Sequence, residues 1–184
     1  MLYPLPAVLV TTRSADGKDD VCTVAWTGTI CSDPAMVSIS LRESRLSYTY
    51  LKETGVFVLH LTTEKLLRAV DFCGVRSGRD LDKFEEMHLT KIPAEKIDCC
   101  VIAEAPAALE CRVTKSEKLG SHTIFMAEVL CVQAEDQYID ENGRFCLEKA
   151  QPVVYSHGDY RAVGRRLGSF GFSVKKAKKG KNRR

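Results

Sequence analysis

Positions 40 to 47 read SLRESRLS, setting the hydroxyls of Ser40, Ser44 and Ser47 beside the guanidiniums of Arg42 and Arg45. Hydroxyls and fixed cations in so short a span suit an oxyanion, because each can donate a charge-assisted or neutral hydrogen bond to it. The run before them alternates, Val37 and Ile39 apolar against Ser38 and Ser40, which is the period of a half-buried strand. The run after them is helix-like, with Ser44 or Ser47 as its N-cap and Gly55 at its end. A strand, a basic and hydroxylated turn and a helix N-terminus together make a phosphate site. Lys83, at the end of a second polar stretch, Ser77-Gly78-Arg79-Asp80, reads like Arg42 as solvated surface charge, a reading that the flanks of both weaken. The single tryptophan, Trp26, precedes Thr27 and Gly28 and serves either core packing or stacking on a flat ring.

Other chemistries find little support. The chain contains no GxGxxG, P-loop or GxSxG pattern, which argues against Rossmann nucleotide binding, phosphoryl transfer and serine hydrolysis. The histidines at 60, 88, 122 and 157 lack metal-ligand spacing, and no metal site is expected. His60 lies in an apolar strand and reads as structural, and His88 reads as loop surface. His122 and His157 sit beside glycines, where a site role and a structural one are balanced. Eight cysteines without a CxxC pair read as reduced thiols in a cytoplasmic protein. Cys73 is expected in a loop, where an exposed thiol would be reactive.

With 184 residues, 45% of them hydrophobic, the chain suffices for one domain with a real core. No apolar run approaches the roughly 20 residues that span a bilayer, and no membrane association is expected. Seven basic residues and no acid lie at 175–184, so without them the net charge of +3 becomes −4. That segment is expected to be disordered, leaving one domain over 1–174. Strands are expected over 7–12, 21–29, 36–41, 56–61, 107–115, 123–134 and 153–155. A second helix is expected from Thr62 or Thr63 to Phe72, stopped by Gly74. The polar excursion at 75–90 is either disordered or functional. The strand at 123–134 is apolar on both faces, with Phe125, Ala127 and Val129 opposite Ile124, Met126 and Leu130, so a second subunit is one candidate cover. Many short strands with few helices indicate a mainly β barrel.

Several segments resemble the flavin reductase-like family of FMN-binding split barrels, in its flavoredoxin-like branch. They are Ala25-Trp26-Thr27-Gly28, Ser32-Asp33-Pro34, Val37-Ser38-Ile39-Ser40, Ser44-Arg45-Leu46-Ser47-Tyr48, residues 73–84, Gly120-Ser121-His122-Thr123 and Ala127-Glu128-Val129. The resemblance implies a split barrel with a Greek-key core, a homodimer, and FMN as cofactor. It places the flavin ring against the backbone at Trp26, Thr27, Gly28 and Thr29. It places the ribityl phosphate near Ser40, Leu41, Arg42, Ser47, Tyr48, Ser77, Gly78 and Lys83, and adds His157 to the cofactor set. Catalytic residues are left unassigned, since redox chemistry belongs to the cofactor. The implied activity is an oxidoreductase that passes electrons from NADH, NADPH or a reduced protein to an acceptor. The alternative is a non-enzymatic electron carrier. A flavin-free module using its basic tail on nucleic acid ranks below both.

Overall fold

The structure, a computed structural model, describes residues 2–174; the basic segment at 175–184 lies outside the described residues. The first strands are β1 (Leu5–Pro6), β2 (Val8–Arg13), β3 (Asp19–Val24), β4 (Thr27–Ser32) and β5 (Ala35–Leu41). Helix α1 (Leu46–Thr54), β6 (Val56–His60), α2 (Leu67–Val75) and α3 (Lys83–Glu86) follow. Then come β7 (Lys91–Pro93), β8 (Cys100–Ile102), β9 (Ala107–Leu119), β10 (His122–Ala134), β11 (Val153–Ser156) and β12 (Asp159–Ala162).

Seven strands pair antiparallel in the order β3-β2-β6-β9-β10-β5-β4, a mainly β split barrel. Its interior is filled by Val10, Ile39, Leu51, Phe57 and Phe125, with Tyr48 packed edge-on to Phe125. The outer face of β2 and β3 carries Leu9 and Val21, covered by Val70 of α2, Phe84 of α3 and Ile102 of β8. This second layer holds the helices and the 76–83 loop against the barrel, and so creates the cleft described below.

Several local expectations need correction. The run 21–29 is two strands, since β3 and β4 are opposite edges of the sheet and the chain turns at Ala25 and Trp26 between them. Neither Ser44 nor Ser47 caps α1: Arg45 is the extended N-cap residue and its side chain makes no capping bond, and Ser47 is buried. Gly55 ends α1 as expected, at φ +70°. Gly74 does not stop α2, which runs through it to Val75. A Cβ there would lie 3.4 Å from the Thr23 side chain, an ordinary van der Waals contact. The long hairpin is tighter than expected: β9 continues through residues 116–119, and the turn is Gly120-Ser121.

The excursion at 75–90 is ordered about α3, whose N-cap Asp82 accepts hydrogen bonds from the N–H groups of Phe84 and Glu85. Cys73 lies in α2, fully buried, and burial pushes its thiol up to about 12. A reactive Cys73 is therefore excluded by desolvation. In β10, Phe125 and Ala127 face the barrel as expected. Leu130, however, packs beneath Ile97, Cys99 and Val101, after register shifts that break the simple alternation. The chain itself thus covers that end of the outer face, leaving Ile124 and Met126 half-buried.

His60 joins three strands. Its Nδ1–H donates to the Leu9 carbonyl at 3.2 Å, and its Nε2 accepts from the Ile102 N–H at 3.0 Å. Burial lowers its pKa to about 4. The folded state holds this ring neutral, while the unfolded chain takes up a proton below about 6.5. Stability is therefore lost as pH falls from about 6.5 towards 4, by about 2–3 kcal/mol at pH 4.5. Urea melts at pH 7 and 4.5 should show this loss, and His60→Gln should flatten the slope in that window.

Candidate functional site

Two adjoining cavities open between the β3–β4 corner, the end of β5, the start of α1 and the loop after α2. The larger, about 380 Å³, is lined by Val24, Ala25, Trp26, Ser40, Leu41, Arg42, Gly74, His122, Tyr155 and Tyr160, among others. The smaller, about 310 Å³, is lined by Ser44, Leu46, Ser47, Arg76, Ser77, Gly78 and Lys83, among others. Arg42, Arg45 and Val75 belong to both, so the two form one bent cleft.

The larger limb has aromatic walls. Trp26 and His122 stack with ring centroids 5.9 Å apart and planes 20° off parallel. Trp26 is 43% exposed, so its role is lining the cleft rather than filling the core. Partial burial, then the nearby Arg42 charge, lower the His122 pKa. Opposite stand Tyr155 and Tyr160, whose rings lie 5.7 Å apart across the β11–β12 hairpin. Burial and the Asp71 carboxylate push the Tyr160 hydroxyl up to about 12.

The smaller limb is cationic. Among the described residues, the side chains of Arg42 and Arg76 make no hydrogen bond or ion pair. Arg45 is anchored instead, donating to the Gly74 carbonyl at 2.6 Å. The floor is a buried polar cluster on Asp20 of β3. Its carboxylate takes the Lys83 ammonium at 2.8 Å and a hydrogen bond from the Ser47 hydroxyl. Both charged side chains are only 3% exposed. Gly78 presses on this cluster, since a Cβ there would fall 2.2 Å from Asp20 Oδ1.

The structure thus brings Trp26, Ser40, Leu41, Arg42, Ser47, Ser77, Gly78 and Lys83 to the cleft. Lys83 is a buried ion-pair partner, not a free surface charge. Thr27, Gly28 and Thr29 follow Trp26 along edge strand β4 without lining either cavity. Thr27 Oγ1 donates to the Ser38 carbonyl at 2.8 Å, and nothing stands within 4 Å of a Cβ built on Gly28. Tyr48 packs on the core rather than in the cleft. His157 is exposed at φ +51° and packs on Tyr3 with ring centroids 4.1 Å apart and planes tilted by 38°, while its neighbour Gly158 reaches the cleft.

Sequence reasoning missed Asp20, Asp71, Arg76, Tyr155 and Tyr160 as parts of the site. The tyrosine pair carried a weak signal, five residues apart about a His-Gly turn. Asp20 carried none, since an acid in a strand reads as surface.

A family model for the flavin reductase like domain matches residues 1–164. The chain belongs to this family. A protein of unassigned function from Archaeoglobus fulgidus is 34% identical over 139 residues, covering 76% of this chain and 77% of its own. Flavoredoxin of Desulfovibrio vulgaris is 29% identical and superposes with a TM-score of 0.89 over 95% of both chains. The FMN-binding protein from Thermus thermophilus, at 21% identity and TM-score 0.78, shares the fold over 91% of this flavin reductase-like chain and 90% of its own.

The charge cluster makes a direct claim on stability. Asp20→Ala strands the Lys83 ammonium in the interior and should cost about 3–5 kcal/mol. Arg42→Ala, at an exposed and unpaired position, should change stability by less than about 0.5 kcal/mol. Denaturant melts without added flavin compare the two.

Proposed function

We propose that this chain binds FMN and serves as an oxidoreductase, taking electrons from a reduced pyridine nucleotide or a reduced protein and passing them to an acceptor. The observation that carries the reading is the bent cleft, aromatic in one limb and cationic in the other, in a flavin reductase-like chain. The unpaired guanidiniums of Arg42 and Arg76, beside the serines of the turn, fit a phosphate monoester. Trp26, Ala25 and Leu41 fit a flat ring. The flavin, when bound, supplies the hydride and single-electron chemistry. The chain's own residues hold the phosphate, stack on the ring and shield one side of it from water. His122 and the Tyr160–Asp71 pair stand at the limb where a second reactant would enter.

FMN should therefore bind more tightly than riboflavin, with Arg42→Ala weakening FMN by roughly 10- to 100-fold, the loss of about 1.5–3 kcal/mol from a charge-assisted bond. Riboflavin affinity should be unchanged by the same substitution. Fluorescence titration tests both, and equal wild-type affinity for the two flavins would remove the phosphate-site argument. A second reading, a flavin electron carrier without turnover of its own, draws support from the similarity to Desulfovibrio flavoredoxin. Stopped-flow reduction by NADH and NADPH separates the readings.

The same proposal includes a homodimer. Ile124 and Met126 on the outer face of β10 are half-buried, and Leu167, Phe170 and Phe172 in the final described segment are 83%, 106% and 65% exposed. A second copy of the chain could cover these apolar side chains, and an isologous contact would do so on both subunits. Light scattering should give a dimer for the wild type and a smaller or aggregated species for Met126→Glu. A wild-type monomer that holds flavin stably would refute the dimer.

A further inference from the structure

Two segments that line the phosphate limb are joined by a residue that does not line it. Arg79 lies on the loop after α2, and its guanidinium donates to the Ser44 carbonyl at 2.8 Å and to Thr49 Oγ1 at 3.4 Å. Its backbone N–H donates to Ser77 Oγ at 3.2 Å, and the Asp80 N–H returns to the Ser77 carbonyl at 3.2 Å. Ser44 belongs to one lip of the smaller cavity, Ser77 and Gly78 to the other. Arg79 therefore ties the two lips together from outside. Behind this closure the floor is shut by Asp20, Ser47 and Lys83, with Gly78 pressed against the carboxylate. A third cavity of about 460 Å³, lined by Tyr50, Arg79, Asp80 and Lys91, lies beyond that wall and shares Asp20, Gly78 and Lys83 with it.

We infer that the Arg79 tie makes the phosphate limb a blind end, and so selects a flavin whose phosphate is terminal over one that continues into a second phosphoryl group and a nucleoside. The inference rests on the flavin reading above and assigns the residue that enforces a choice of FMN over FAD. A phosphate monoester ends where the limb ends. A pyrophosphate diester carries its second half onward, and the tied lips stand across that path. Arg79 turns two of its five donors to Ser44 and Thr49 and does not line the limb, so its removal is expected to subtract no phosphate ligand. Its contribution is exclusion of the longer cofactor, a difference between two affinities rather than a gain in one.

The full-length wild type, Arg79→Ala and Arg79→Met are titrated with FMN, FAD and riboflavin by fluorescence quenching, after thermal melts check that each is folded. Methionine keeps the aliphatic length and packing while removing every donor. The wild type should prefer FMN to FAD by about tenfold or more, which corresponds to about 1.4 kcal/mol. Both variants should raise relative FAD affinity at least about fivefold, while FMN changes less than about threefold and riboflavin stays level. An unchanged ratio in both folded variants, or a parallel loss of FMN and FAD, overturns the inference. A wild type that quenches none of the three flavins would instead overturn the flavin reading on which it stands.

Discussion

The ion pair of Asp20 with Lys83 joins parts of the chain that nothing else brings together in the same way. Asp20 belongs to β3, at the edge of the barrel sheet; Lys83 opens α3, more than sixty positions later; Ser47 comes from α1 and binds the same carboxylate. Removing two charges from water is costly, and mutual attraction returns that cost only with close geometry and further hydrogen bonds. Here the carboxylate has both. The pair consequently dictates where the loop between α2 and α3 must run, and it leaves no room for a side chain at Gly78.

That constraint shapes the electrostatics of the cleft. Lys83 is neutralised by Asp20, so the field in the smaller limb comes chiefly from Arg42, Arg45 and Arg76 at its rim. The arrangement separates support from recognition: a buried pair fixes the floor, while exposed or half-buried guanidiniums face the opening. Guanidiniums suit the second task because their donors are planar and their charge persists at any working pH.

The outer layer serves the same end. Phe84 and Val70 pack with Leu9 and Val21 on the outside of β2 and β3, so hydrophobic burial presses α2 and α3 onto the barrel at the place where the cleft opens. Thr23 reinforces this contact by donating to the Val70 carbonyl. His60 secures the other end of the layer by bonding Leu9 and Ile102 at once. The uncharged form of that ring is the one that fits, which makes the barrel's outer seam sensitive to acid.

Much of the barrel was legible in the sequence because its determinants are local. The alternation of Val37 and Ile39 with serines set the face of β5, and Gly55 marked the end of α1 at positive φ. The cluster from Ser40 to Ser47, with Trp26, located the cleft, since strand ends and helix starts lie close in sequence. Only the tertiary structure decided which charges are free. Arg42 and Lys83 look alike as isolated cations, yet one stands exposed and the other is sealed against an acid from a distant strand. It also decided that Cys73 is buried, that Tyr155 and Tyr160 form a wall of the cleft, and that Leu130 turns beneath its own chain. The physical reason is the same throughout. Periodicity and turn chemistry act over a few residues, whereas burial and charge pairing depend on neighbours that only the closed barrel brings within reach.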